Sequence, residues 1–327
     1  MGNTPDAHRD DHALPPDIEA AIHTLRVDVG TAETVLAFRA AGIRSILLKG
    51  PALASWLYDH EGSREYVDID LLVSPDQLLA GEEILTRLGF HRFGLDLIPG
   101  DWPKHARTWT REDGRTIDLH LTLVGVGVDA AELWREFSGR TERMEVAGTE
   151  MEVLAPPARA LLVALNAAKS GASVDKVRRD LEQALGRVPL VTWREAAELA
   201  GSLKATEAFG AGLRRIPAGK ELAGQLGLTN ARTTQVLLRE RKATPLSIGI
   251  DWLFSTPGWQ GKLRLILRKL FPPKEYVRAL SPLARRGPVG LAAAYAWRPL
   301  WVFMKAGPAL WAWFKARRGA ARGVPPS

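Results

Sequence analysis

The amino-acid sequence predicts an α+β domain followed by an all-helical one. Three features point there: a strand, glycine turn, helix and second strand compressed into residues 46–73, two hairpins marked by tight turns between residues 106 and 154, and helical periodicity alone after Pro156-Pro157. With 327 residues and 46% hydrophobic content, the chain can bury a substantial core and form two domains. The expected division is a disordered polar start over residues 1–16, an α+β domain over 17–155, and a helical domain with a basic, Trp-rich tail over 156–327.

Residues 17–41 carry apolar side chains at helical spacing (Ile18, Ile22, Leu25, Val29, Leu36, Phe38), and Gly30 is expected to divide them into two helices. Ala41-Gly42 ends the second and delivers the chain into a strand over 43–48. Lys49-Gly50 reads as a turn and Pro51 as the first residue of a helix over 51–58, whose N-terminus would face the turn and suit a phosphate there. Asp68-Ile69-Asp70 followed by Leu71-Leu72-Val73 reads as a buried strand. Ser74-Pro75-Asp76 opens a helix that stops at Gly89, and a strand over 90–95 follows. Glu112-Asp113-Gly114 joins strands over 106–111 and 115–121, a helix covers 129–137, and Ala147-Gly148 joins strands over 141–146 and 150–154. Helices are expected at 158–169, 174–185, 192–200, 203–213, 233–242 and 261–270, before the Trp-rich tail.

Alternate residues of a strand share a face, so Asp68 and Asp70 stand side by side. Two carboxylates at the start of an apolar strand repel each other and lose hydration, which a divalent cation between them relieves. Mg²⁺, a hard cation that takes oxygen ligands and works with phosphates, is the economical choice; the plain alternative is two polar residues at a strand end. Asp118 and His120 share one face of the strand over 115–121, and that face must be the one carrying Asp68 and Asp70 if the four act together. His120 could bind metal, polarise a phosphate, or hydrogen-bond to the carboxylates.

Leu47-Leu48-Lys49-Gly50, a helix, then Arg64 and Asp68-Ile69-Asp70-Leu71-Leu72-Val73 together resemble the uncharacterised nucleotidyltransferase family of the DNA polymerase β-like superfamily. The resemblance implies a polymerase β-like core, and transfer of a nucleoside monophosphate from an NTP such as ATP to an acceptor. It also implies two Mg²⁺ or Mn²⁺ ions held by three carboxylates, Asp68, Asp70 and Asp118, the last in Arg115-Thr116-Ile117-Asp118-Leu119-His120. Lys49, the Gly50 backbone and Arg64 would contact the triphosphate, although each cation could instead pair with an aspartate. Many superfamily members carry Gly-Ser at the turn where this chain has Lys49-Gly50-Pro51. Family members also carry two histidines around a lysine in the first helix of the second half; here Asn166 and Ser170 stand in their places and Lys169 alone remains as a phosphate ligand, with Asp180-Leu181 following. Leu270-Phe271-Pro272-Pro273-Lys274-Glu275 extends the likeness to about residue 300.

Charge and composition set the remaining expectations. The chain has no cysteine, which excludes disulfides and thiolate chemistry and suits a reducing cytoplasm, and its start lacks the basic and apolar segments of a signal peptide. Residues 262–322 hold 14 Lys and Arg against one acid, Glu275, within a chain of net charge +7. Such a block meets an anionic surface (nucleic acid, membrane or acidic substrate) or is a solvated helix face. No stretch is apolar enough to span a bilayer, so the tail is either an interfacial helix or a helix packed on the body through its tryptophans. The acceptor is a peptide or protein side chain or a small molecule, with an RNA 3′ end such as tRNA as the alternative. A degenerate nucleotide-binding or membrane-surface scaffold is the competing class.

Overall fold

The computed structural model describes residues 16–60, 64–93, 105–170, 175–229 and most of 234–322. Residues 1–15 of the polar start, the end of the strand expected over 90–95, most of the helix expected over 233–242, and Pro273 and Glu275 lie outside the described residues.

The first helix, α1 (Pro16–Ala40), runs unbroken through Gly30. Packing overrides the glycine: a Cβ there would come within 2.9 Å of Arg115 Cδ and 3.3 Å of Ile69 Cδ1, so Gly30 lets the helix lie close on the sheet without a break. Next come β1 (Ser45–Leu47), α2 (Pro51–Leu57), β2 (Ile69–Val73), α3 (Leu78–Arg87), β3 (His91–Arg92), β4 (Ala106–Thr110), β5 (Thr116–His120), α4 (Ala130–Ser138), β6 (Thr141–Val146) and β7 (Thr149–Leu154). Asp129 caps α4 by accepting from the Glu132 N–H at 2.8 Å.

The seven strands of the described residues form one mixed sheet in the order β3-β4-β5-β2-β1-β7-β6. β2 is parallel to β5 and β1 to β7, while the other neighbours are antiparallel. Alternation along β2 divides the core. Ile69, Leu71 and Val73 join Val27, Val35 and Phe38 of α1 and Leu78, Ile84 and Leu85 of α3 on one face. Leu72, with Ile46 and Leu48, faces the opposite way into a cluster shared with Leu161, Leu165, Leu181 and Phe209 of the helical half. One apolar core thus runs from the sheet into the helices, and Asp70, two residues before Leu72, is on the face that meets the helical half.

The helical half contains α5 (Pro156–Ser170), α6 (Asp175–Arg187), α7 (Leu190–Ser202), α8 (Thr206–Leu213), α9 (Pro217–Gln225), α10 (Pro245–Ser255), α11 (Trp259–Leu270) and α12 (Pro288–Arg322). Pro156 and Pro157 form the first turn of α5, where a missing N–H costs no helical bond. α9 and α10 carry no strong helical pattern in the sequence, and their packing supplies it. The Trp-rich tail is a single 35-residue helix that continues past Pro299 and Pro308. Trp313 is buried, stacks on Phe254 at 4.3 Å between centroids and donates its Nε1–H to Asp251 Oδ1 at 3.0 Å. Trp297, Trp301 and Trp311 are exposed, so only part of the tail packs through its tryptophans.

Candidate active site

The site is built by strand register. Parallel pairing of β2 with β5 sets Asp70 level with Asp118 and Leu72 level with His120, so both carboxylates and the imidazole project to one face. Ligand-type atoms of Asp70, Asp118 and His120 all lie within 4.8 Å of one another. Asp68 stands just before the first residue of β2, half-buried and outside that group of three. It remains close enough for the charges of Asp70 and Asp118 to act on it.

Asp70 is 2% exposed and carries two partners on a single oxygen: Lys49 Nζ donates to Oδ1 at 2.8 Å, and His120 Nε2 lies 2.8 Å from the same atom. Burial alone would raise the Asp70 pKa, but the Lys49 charge and the His120 contact outweigh it and hold this carboxyl well below the usual carboxylate range. Asp68 goes the other way: burial and the neighbouring Asp70 charge push its pKa up, against the pull of Lys49. Asp118 is oriented by its neighbour on β4, since Thr108 Oγ1 donates to its Oδ1 at 2.6 Å.

Gly50 makes the turn between β1 and α2 with φ 62°, a left-handed conformation that disfavours any other residue, and a Cβ there would meet the Tyr66 ring at 3.4 Å. The helix start that follows offers little to an anion. Pro51 has no N–H, and the amides of Ala52 and Leu53 turn back to the carbonyls of Lys49 and Gly50. Arg64 is 5% exposed and committed within the protein: Nε and Nη2 donate to both oxygens of Asp180 at 2.8 and 2.9 Å, and Nη1 reaches the Gly50 carbonyl at 3.3 Å. Tyr58 donates to the same Asp180 at 2.9 Å, and burial together with that negative charge pushes its phenol pKa up to about 12. Arg64 therefore ties the turn before α2 to α6, and reaching a phosphate would require surrendering a bidentate pair.

Lys169 is exposed, with Nζ 3.3 Å from His105 Nε2, and it borders a small cavity together with Lys49, His105, His120 and Asn166. The position of the missing family histidine at Asn166 is thus beside His120, whereas the side chain of Ser170 lies outside the described residues.

Two residues emerge that spacing did not single out. Lys176, one turn before Asp180 on α6, has its pKa pulled down by burial and by Arg64, while Asp68, Asp180 and Asp70 pull it up, so a cation borders the carboxylates from the helical side. Its i, i+4 relation to Asp180 was the available signal. His105 stacks obliquely on His120 at 5.9 Å between ring centroids, and only the β4–β5 pairing brings it there.

The donor set fits a divalent cation. Asp70 and Asp118 offer the oxygens that Mg²⁺ or Mn²⁺ takes, His120 orients Asp70 from the same face, and His120 Nδ1 is buried with no hydrogen-bond partner among the described residues.

No curated protein matches the chain in sequence. Among solved structures, the chain is similar to the antibiotic-resistance factor ANT(2'')-Ia at 14% identity, over 56% of this chain and 92% of that one, with a TM-score of 0.39. It is also similar to an antigenic nucleotidyltransferase-like protein from Paracoccidioides brasiliensis at 13% identity, over 57% and 94% of the two chains, with a TM-score of 0.33. The family model of the uncharacterised nucleotidyltransferases matches residues 18–217, more than half of the sequence and all the site residues above, and the chain belongs to that family.

Proposed function

We propose that this protein is a metal-dependent nucleotidyltransferase that moves a nucleoside monophosphate from an NTP to a hydroxyl or phosphate of a peptide, protein or small-molecule acceptor. The observation that carries the reading is the level pairing of Asp70 with Asp118 across β2 and β5, with Asp68 two residues upstream and His120 on the same face. Asp68, Asp70 and Asp118 would hold two Mg²⁺ or Mn²⁺ ions. Bound there, such ions supply charge neutralisation for the triphosphate and acidity for the attacking oxygen.

The residues of the chain do the rest. Lys49 exchanges its pair with Asp70 for a phosphate oxygen, and the Gly50 turn brings backbone against the triphosphate. Arg64 holds that turn through the Gly50 carbonyl, and Lys169 adds a cation at the rim. Asp118, steadied by Thr108, takes the acceptor proton as the acceptor oxygen bonds to the α-phosphorus and pyrophosphate leaves with the electron pair of the broken bond. Positioning and charge supply most of the rate, and the protein forms no covalent intermediate.

One observation favours a second reading, binding of nucleotide without turnover: the Lys49 ammonium already neutralises Asp70, and Asp68 stands outside the cluster. Both readings are tested together. Each α-³²P-labelled NTP is incubated with Mg²⁺ or Mn²⁺ in an extract containing RNA, protein and small molecules, with the wild type and Asp70→Asn side by side. Label transferred by wild type alone supports the enzyme and identifies the acceptor class, an RNA end included. A metal-dependent thermal shift with NTP but no product supports the binding protein, and no NTP binding at all rejects both.

A further inference from the structure

We infer that α11 and α12 form a membrane-docking face for anionic lipid. α12 is about 50 Å long at the usual helical rise over its 35 residues. It packs through Gly290, Ala294, Ala309, Trp313 and Ala316, all buried. Trp297, Trp301, Met304 and Trp311 recur at intervals of four, three and seven residues, in line with Gly290 and Ala294, and form one exposed stripe where the helix leaves its packed segment. Phe303, Leu310 and Phe314 form a second stripe beside it. Phe303 is 79% exposed and Trp311 66%. α11 repeats the pattern on a smaller scale, with Trp259, Leu263, Ile266 and Leu267 exposed at helical spacing. Isolated apolar residues on a surface need no explanation, but two continuous stripes on adjoining helices do.

Charge decides the occupant. Residues 262–322 hold 14 Lys and Arg against one acid, so a second copy of this face would be repelled. A nucleic acid would satisfy the cations and could stack on the tryptophans, but it offers nothing to Leu263, Ile266, Leu267, Leu300, Met304 and Leu310. An anionic bilayer satisfies both sets: phosphates and serine carboxylates meet Lys305 and Lys315, hydrocarbon receives the aliphatic side chains, and indoles sit at the boundary. Lys315 already lies over the exposed Trp311 ring at 5.0 Å, a cation beside an indole. No helix among the described residues is long and apolar enough to cross a membrane, so α12 lies along the surface.

The test uses the full chain with vesicles of phosphatidylcholine alone and of phosphatidylcholine mixed with phosphatidylserine. The expected result is sedimentation with the mixed vesicles, reversal by salt, a blue shift of tryptophan emission and its quenching by brominated acyl chains. Phe303→Asp combined with Trp311→Asp is expected to weaken binding more than tenfold, and Lys305→Glu on its own about twenty-fivefold, since each cation at an anionic surface contributes roughly fivefold and the change reverses a charge. All three positions are exposed, and unchanged circular dichroism verifies the fold. Asp70→Asn is expected to sediment like wild type, which separates this face from the candidate active site. Absence of sedimentation, equal sedimentation with neutral vesicles, or retention on an RNA homopolymer without lipid quenching would overturn the inference.

Discussion

Asp180→Asn isolates the buried pair that holds the glycine turn. Arg64 and Asp180 are 5% and 6% exposed, their bidentate contact spans 2.8 and 2.9 Å, and Tyr58 adds a third bond to the same carboxylate. The amide keeps the shape and one acceptor oxygen but removes the charge, leaving a guanidinium buried without compensation. Breaking one side of such a pair costs roughly 3–5 kcal/mol, whereas replacing both sides with apolar groups of similar volume is close to neutral. Urea denaturation followed by far-UV circular dichroism should therefore give a loss of about 3 kcal/mol or more for Asp180→Asn, and a similar loss for Arg64→Met. The double variant Arg64→Met/Asp180→Leu should be more stable than either single one. Arg64→Lys should not restore the wild type, because an ammonium lacks the planar fork. Additive single losses, or single losses below about 1 kcal/mol, would refute the view that Arg64 serves the fold through Asp180.

Other outcomes follow from the same contacts. Asp70 and Asp68 should respond to pH with opposite signs in metal-free protein. Asp70 has a depressed folded pKa, so its stabilisation is present above the unfolded carboxylate value of about 3.9 and is lost as pH falls through the folded value; the stability advantage of wild type over Asp70→Asn should shrink in acid. Asp68 has a raised pKa, so its ionised form opposes folding as pH rises, and Asp68→Asn should raise the melting temperature at pH 7 while lowering nucleotidyl transfer by about a hundredfold or more. In the tail, Asp251→Ala strands the buried Trp313 N–H and should cost about 1–3 kcal/mol, read as earlier loss of helical signal with nucleotide binding unchanged.

The parts of this structure that local chemistry dictates were legible in the sequence. Glu112-Asp113-Gly114 and Ala147-Gly148 marked their hairpins, Asp129 marked the start of α4, and the apolar run Leu71-Leu72-Val73 after Asp70 marked β2. The facing of Asp70 and Asp118 followed from two strands of matching pattern, since parallel register keeps carboxylates of equal phase on one face. What escaped was set by distant partners. Gly30 looks like a helix breaker until Arg115 and Ile69 occupy the space beside it. Arg64 is expected either to contact phosphate or to pair with an aspartate, and only the fold names Asp180, 116 residues later, as its partner. His120, rather than Asp68, joins Asp70 and Asp118 in the tightest group, because β2 begins at Ile69.

The central claim is that the β2–β5 register builds a divalent-cation site that receives an NTP. Mn²⁺ binding followed by electron paramagnetic resonance, with and without a non-hydrolysable NTP, tests it without relying on a known acceptor. The expected result is Mn²⁺ binding that tightens with nucleotide in the wild type and weakens at least tenfold in both Asp70→Asn and Asp118→Asn, with circular dichroism unchanged. Mn²⁺ binding that is equal in wild type and both variants would contradict it.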